Sequence, residues 1–475
     1  LQIGPWLVAL VQAGWLWGCA TEETLPVAEP PVPGAYRNQV PDALLPRPTT
    51  EWWREFASAE LDRLQEAALA NNAELKVAIA RVAQAQAQAR IAGAALAPSL
   101  DAFAKREGLA PTQGAGTAET RSEWRSLNRY QVGLRANYEV DLWGKNEYAA
   151  ESALALAEAS LHHRETVALT LTADVAAAYV EYLSLSERFA IGERNLRSRR
   201  SSVAAMDKRV RSGDATAFDA AQQRVATATA ESAAAALAQR RERSFNRLAV
   251  LTGAPPAQLK LETRSLEEIA IPPINPGLPS ELLCRRPDIR RAEAQLAAAQ
   301  FDVRSLRANL LPSFSLVAEV GYGSRHLAAL AANPVNLVYL AAATLTQSVL
   351  DSGRRESQLE AAKARHLELL HQYSGTLLTA LREVEDALAG VRLTEEQRRA
   401  LAEALETSRA SFAANRRSFE IGAVDFVALL DAEQKLIAGE DALASALYDR
   451  MRAAIDLFRS LGGGTRIAER DPCAQ

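Results

Sequence analysis

The chain has 475 residues, 48% hydrophobic and 24% charged, which is apolar enough to bury a large core and excludes general disorder. Its 54 basic and 58 acidic residues leave a net charge of −4, and no block of one sign is long enough for a nucleic-acid groove or a polybasic membrane patch. Three cysteines, Cys19, Cys284 and Cys473, show no metal-ligand spacing and make a poor disulfide framework for so long a chain.

The opening run, LQIGPWLVALVQAGWLWGCA, is apolar and uncharged but interrupted by Gly4, Pro5, Gln12 and Gly14. It suits the apolar region of an export signal better than a spanning helix. Leu16-Trp17-Gly18-Cys19 resembles a bacterial lipoprotein signal, in which the cysteine is lipidated and becomes the mature N-terminus. Trp17 is bulky for its place, and a chance cysteine behind a hydrophobic run is the alternative. The expected segments are a signal over 1–18 and a lipidated tether over 19–51, in which prolines at 26, 30, 31, 33, 41, 46 and 48 forbid helix. Residue 20 is Ala, not the Asp that favours inner-membrane retention, so the outer membrane is the expected address.

From Trp52 onward the chain says nearly the same thing twice. Gly144 in LWGK recurs as Gly353 in DSGR, DVAAAYV from Asp174 recurs as EVEDALA from Glu383, and SGDATAFDAAQQ around Gly213 recurs as IGAVDFVALLDA around Gly422. An offset this large marks the duplication of one big unit, not a solenoid of short repeats. The expected units are 52–262 and 287–464, joined by a linker over 263–286 and followed by a tail over 465–475.

Each unit reads helix, strand, strand, long helix, turn, helix. In the first, a helix from about Ser58 to Ala97 precedes strands over Ser99–Gly108 and Tyr130–Leu142. In the second, strands are expected over Ser313–Ser324 and about Asn336–Leu350. The helices from Lys145 to about Arg211 and from Arg354 to Glu420 would each run roughly 100 Å at 1.5 Å per residue, longer than any compact domain. Heptad spacing of Leu154, Leu161, Ala168, Val175 and Tyr182, and of Leu370, Leu377, Val384 and Val391, marks them as coiled-coil-like.

The strands alternate without a slip. Tyr130, Val132, Leu134, Tyr138 and Val140 share one face, as do Phe314, Leu316, Val320 and Tyr322, against a polar opposite face. Such lengths and patterning fit transmembrane β-barrel strands with these residues toward lipid and Arg135 toward the lumen. Two isolated hairpins cannot close a barrel, and an open edge in lipid leaves backbone groups unpaired, so several chains must share one.

GLPSELLCRRPDIRRAEAQLAAAQ, the pair YEVDLWGK and SVLDSGRR, and GAVDFVALLDAEQKL resemble the TolC/OprM family of outer-membrane efflux channels, lipoprotein branch, in order from about Trp52 to Gly464. The resemblance implies a mainly α fold with a membrane β-barrel portion: a homotrimer whose 12-stranded barrel, four strands per chain, stands on an α-helical periplasmic barrel. Its implied partners are a periplasmic adaptor, an inner-membrane pump of the resistance-nodulation-division class and outer-membrane lipid. The function implied is a passive exit duct for small molecules. An outlet for protein secretion stays open, and a non-conducting coiled-coil envelope spacer is the remaining alternative, against which the two-faced strands speak. The turns at Gly213 and Gly422 fall at the implied periplasmic tip, with Asp425 among the adaptor-contacting residues and Asp219 and Asp431 at the implied gate. Phe419 and Val424 stand where some members have Tyr and Arg, so the gate contacts of those members cannot form here.

Catalysis has little support. His162, His163, His326, His366 and His371 form no ligand pattern and read as solvated surface histidines, and no metal or cofactor is expected. Arginine clusters at 197, 199 and 200 and at 240, 241 and 243 read as solvated helix faces.

Overall fold

A computed structural model describes residues 25–26, 32–38, 49–109, 127–262, 265–324, 326–327 and 337–464. In chain order the elements are α1 (Ala59–Asn71), α2 (Ala73–Ala94), β1 (Ser99–Leu109), β2 (Leu127–Val140), α3 (Lys145–Ser212), α4 (Ala217–Leu251), a single turn at Leu282–Arg285, α5 (Pro287–Ala308), β3 (Ser313–Ser324), β4 (Leu337–Thr346), α6 (Arg354–Glu420) and α7 (Phe426–Ser460). The long helices α3 and α6 have 68 and 67 residues.

The chain divides into two compact units. One comprises Leu1–Pro30, Ser99–Tyr148 and Ala299–Ser374; the other comprises Pro31–Pro98, Ala149–Ala298 and Gly375–Gln475.

The first unit holds a single antiparallel sheet in the order β1-β2-β3-β4. The expected pair of isolated hairpins is therefore one sheet, because β2 and β3 also pair, from Tyr130 opposite Ser324 to Val140 opposite Phe314. Two strands end earlier than the alternation suggests. Beyond Val140, Leu142 N–H bonds back to the Val140 carbonyl and the Asp141 carboxylate accepts the Glu147 N–H, which turns the chain into α3. Thr346 is the last partner of β3, whose first residue follows Pro312, and Gln347 bonds instead to the Leu310 carbonyl. Gly144 and Gly353, at φ of 77° and 78°, make the matching turns into α3 and α6, a conformation glycine adopts without strain.

The second unit is helical. Its core gathers Trp52, Phe56, Leu61, Tyr179, Leu183, Leu248 and Phe458, with the Trp52 and Phe458 rings stacked at 5.0 Å. A single helix over residues 58–97 does not form: it breaks at Asn72, which ends α1 and begins α2. The Asn72 side chain accepts the Leu75 N–H as an N-cap while its amide donates to the Leu251 carbonyl, so one residue satisfies two chain ends. Glu60 is buried but paired, accepting the Tyr179 hydroxyl at 2.9 Å and the Glu262 N–H at 2.7 Å.

Candidate functional site

The strand register decides which residues share a face. Val132 lies opposite Ala104 and Tyr322, Leu134 opposite Ala102 and Val320, Tyr138 opposite Leu316, and Val140 opposite Phe314. On β4 the same face continues through Leu337, Tyr339, Ala341, Ala343 and Leu345. All the residues expected to face lipid thus lie on one surface, and Val132, Leu134, Leu316, Val320 and Tyr322 are exposed in the isolated chain. Arg106 shares that surface near the far end of the sheet and lies over the Tyr130 ring at 5.7 Å.

The opposite face carries charge. Arg135 pairs with Glu319 at 2.6 Å and lies over the Phe103 ring at 5.2 Å; Lys105 pairs with Glu107, and Lys145 with Glu139 at 2.5 Å. Gly133 faces Gly321, where a Cβ on either would come within 2.4 Å of a backbone oxygen of the other strand. No side chain fits there without parting β2 from β3. β1 and β4 are both edges, so among the described residues no strand pairs with their outer backbone groups.

In the second unit, α3 turns into α4 and α6 into α7 by the same device. Gly213 and Gly422, at φ of 82° and 72°, close each long helix with a pair of backward bonds: Asp214 N–H to Arg209 O and Gly213 N–H to Val210 O, then Ala423 N–H to Ser418 O and Gly422 N–H to Phe419 O. The starts of the next helices differ. Thr216 and Asp219 form a reciprocal capping box on α4, and the hydrogen bonds from Thr216 hold the Asp219 carboxyl below the usual carboxylate range. Asp425 alone caps α7, accepting the Ala428 N–H at 2.8 Å. Asp431 pairs with Lys435 one turn on, at 2.7 Å, and both are exposed. Phe419 packs on Phe426 with centroids 5.8 Å apart, a contact the sequence reading missed because the two residues lie on successive helices on either side of the Gly422 turn. Phe218, Ile421 and Val427 stand exposed at the two turns.

Three further contacts join the repeats within this unit. Arg188 of α3 grips Asp441 of α7 through two bonds of 2.7 and 2.9 Å, Arg194 pairs with Glu440 at 2.8 Å, and Ser198 donates to Glu433. Arg286 is buried and reaches Asp288, Glu383 and the Ser460 carbonyl. Burial alone would lower its pKa, but the bonds and charges of Asp288 and Glu383 outweigh this and raise it, so the guanidinium stays charged. The described part of the tether at residues 32–38 is docked here: Tyr36 is buried, and the Glu385 carboxylate accepts the N–H groups of Arg37 and Asn38. Burial, then the charges of Glu281 and Glu385, push the Tyr36 hydroxyl pKa up. Sequence reading had no signal for this, since no periodicity links residues so far apart.

The histidines are not all solvated. His162 and His366 are buried, His162 with its Nδ1 at 2.9 Å from Glu165, and His163 lies 3.3 Å from Arg291, which with burial lowers its pKa. Among the arginine clusters, Arg241 is half-buried over the Phe189 ring. No cluster of three or more His, Cys, Asp or Glu suited to a metal occurs among the described residues. Cys284 is disulfide-bonded, and its partner lies outside the described residues, as does Cys19. A framework judged poor from spacing alone therefore does hold a bond.

A sheet that is apolar on one surface, charged on the other and open at both edges, in a chain whose helices far exceed a compact domain, defines a subunit of a shared outer-membrane channel. The chain belongs to the family described as outer membrane efflux protein, which matches over residues 64–254 and 278–463. It is 36% identical over 419 residues to the pyoverdine export outer membrane protein OpmQ of Pseudomonas putida, covering 88% of each chain. It is 33% identical to the outer membrane protein OprJ of Pseudomonas aeruginosa, covering 88% of this chain and 86% of that one. Among solved structures, the open state of the MtrE outer membrane channel of Neisseria gonorrhoeae superposes with a TM-score of 0.83 at 27% identity, over 95% of this chain and 99% of that one. The fold class is that of trimeric channels with a helical portion and a β-barrel to which each chain gives four strands. The chain is an outer-membrane component of a tripartite efflux system.

Proposed function

We propose that three copies of the chain close one barrel and form a passive duct, with no chemistry of its own, through which an inner-membrane pump of the resistance-nodulation-division class, coupled by a periplasmic adaptor, expels small molecules. The observation that carries this reading is the two-faced sheet, apolar on one surface and charged on the other, with no strand among the described residues to pair either edge, which other copies would supply. The polar face carries Lys105, Arg129 and Arg135 against Asp101, Glu107, Glu139 and Glu319, which is close to balance and selects weakly by sign. Amphiphilic molecules of mixed charge are the substrates it suits. Pyoverdine-like secreted compounds are the first to test, because the relatives matching at 36% are named for pyoverdine export.

Cys19 is the proposed lipid anchor, and Gly213, Gly422 and Asp425 the proposed adaptor contacts. Asp219 and Asp431 are the proposed gate residues, Asp219 by holding the start of α4 and Asp431 by its charge. Val132 and its neighbours on the apolar surface are the proposed lipid contacts. Conductance of the purified protein in a planar bilayer, together with co-purification of an adaptor from the native host, tests the reading. A trimer that never conducts and never brings down an adaptor would defeat it.

A further inference from the structure

We propose that a cavity at the helical end of the sheet holds the phosphoethanolamine headgroup of a membrane phospholipid, with Arg354 taking the phosphate and Asp141 the ammonium. The inference rests on the reading of the apolar sheet surface as the lipid contact and goes beyond it by naming a lipid and its site.

The cavity has a volume of about 280 Å³ and lies wholly in the first unit, where β2 and β4 end, β3 begins, and α3 and α6 start. Its charged lining is Glu139, Asp141, Lys145, Arg354 and Arg355. Most of these charges are met in place. Lys145 pairs with Glu139 at 2.5 Å, and Arg355 pairs with Asp351 at 3.3 Å and donates to the Asn309 carbonyl at 2.8 Å. Arg354 is exposed and has no ion-pair partner among the described residues. Asp141 has none among them either, and its Oδ2 accepts the Glu147 N–H. One cation and one anion, not paired with each other or with any other described group, thus line the same small space.

The free cation arises from a difference between the repeats. At the offset that sets Gly144 against Gly353, Lys145 corresponds to Arg354 and Glu139 to Ser348. The first repeat therefore carries the acid that neutralises its cation, and the second has a serine in that place. Arg354 is also the first residue of α6, where the helix dipole disfavours a cation, so its charge does nothing for the helix itself.

A phosphate and a primary ammonium on one molecule match this pair, because a guanidinium donates two N–H groups to a phosphate and an ammonium donates to a carboxylate. On the lipid reading, this end of the sheet is where acyl chains give way to headgroups, a level that Trp side chains favour. Trp143 lines the cavity, half-exposed, with its Nε1–H donated to the Pro312 carbonyl at 2.8 Å. Leu142 follows Asp141 in the chain and Val349 follows Ser348 of the lining, and both are exposed, which suits them to the glycerol and first acyl carbons.

The test uses the full-length protein, purified in detergent and stripped of lipid, titrated with phosphatidylethanolamine, phosphatidylglycerol or phosphatidylcholine and read by native mass spectrometry. Phosphatidylethanolamine should bind the unaltered protein most tightly, since the glycerol headgroup has no cation and the choline has no N–H to donate. Arg354→Gln, which removes the phosphate partner, should weaken all three lipids, phosphatidylethanolamine by roughly tenfold or more. Asp141→Asn, which keeps an acceptor for the Glu147 N–H, should weaken phosphatidylethanolamine alone. Thermal melts of both variants equal to that of the unaltered protein would assign the losses to the site and not to the fold. Equal binding of the three lipids, or phosphatidylethanolamine binding unchanged in both variants, would overturn the inference. Soluble glycerophosphoethanolamine binding as tightly as the whole lipid would assign the cavity to a free phosphate ester and overturn the membrane source. A protein that conducts in a planar bilayer yet shows no such lipid preference defeats this inference alone, whereas one that never inserts defeats the barrel reading beneath it.

Discussion

Asn38 meets Glu385 twice, its backbone N–H and its side-chain amide donating to the same carboxylate oxygen at 3.1 and 2.9 Å. The N–H of Arg37 takes the other oxygen at 2.5 Å, and Tyr36 is buried beside them. Three bonds to one charged acceptor from a proline-rich segment clamp that segment to α6. Bonds to charged groups contribute about 1.5–3 kcal/mol each at most, less where water competes. Glu385→Ala should therefore raise tryptic cleavage after Arg37 by roughly tenfold or more, read by timed digestion of the intact trimer. An unchanged cleavage rate would mean that the clamp does not hold the tether.

The barrel surface makes a second expectation. Val132→Arg or Leu134→Arg places a guanidinium on the apolar surface at roughly 2–4 kcal/mol per chain near the bilayer midplane and should block assembly. Arg135→Ala, on the opposite surface, should leave the detergent-stable trimer intact while freeing Glu319. Gly321→Val should also fail to assemble, because its Cβ would lie 2.3 Å from the Val132 carbonyl oxygen. Native gels in detergent read all three, and a stable water-soluble monomer of the unaltered chain would refute the shared barrel.

At the helix turns, cap and charge can be separated. Asp219 holds the start of α4 through Thr216, so Asp219→Ala should raise leak through the closed channel while Asp219→Asn, which keeps an acceptor, should raise it far less. Asp431→Ala should weaken cation selectivity and block by multivalent cations, more so because it leaves Lys435 without its partner. Reversal potentials across a salt gradient are the measurement. Selectivity and block equal to the unaltered protein in Asp431→Ala would place that carboxylate outside the pore.

The helical pair α6–α7 should lose stability in acid through one residue. Hydrogen bonds from Arg398 and Arg399, with the charge of Arg450, hold Glu395 down to a pKa of about 2. The folded value lies below the unfolded one, so the stabilisation is full above about pH 4.5 and is lost as pH falls toward 2. Glu395→Gln should flatten that part of the thermal-stability profile by about 1 kcal/mol at most once solvent screening is allowed for. A melting-temperature profile between pH 5 and 2 that is the same in both proteins would show that the cluster contributes nothing.

Much of the architecture was legible in the residues themselves. Strict alternation from Tyr130 to Val140 and from Phe314 to Tyr322 set the two faces of each strand, because side chains of a strand can only alternate. The glycine turns at 144, 213, 353 and 422 were readable for a similar reason, since a helix needing positive φ at its end has few residues to choose from. These are local constraints, carried by the few residues that obey them.

What tertiary structure alone decided lies between segments distant in sequence. That β2 pairs with β3, so that two hairpins become one sheet, depends on a register no single strand contains. The break of the first helix at Asn72 follows from a partner at Leu251, and the docking of Tyr36 and Asn38 from a carboxylate at Glu385. The burial of His162 follows from helix packing, and the bonded state of Cys284 from a second sulfur that no spacing rule identifies. Periodicity says which way a side chain points, but only the packed chain determines what it meets there.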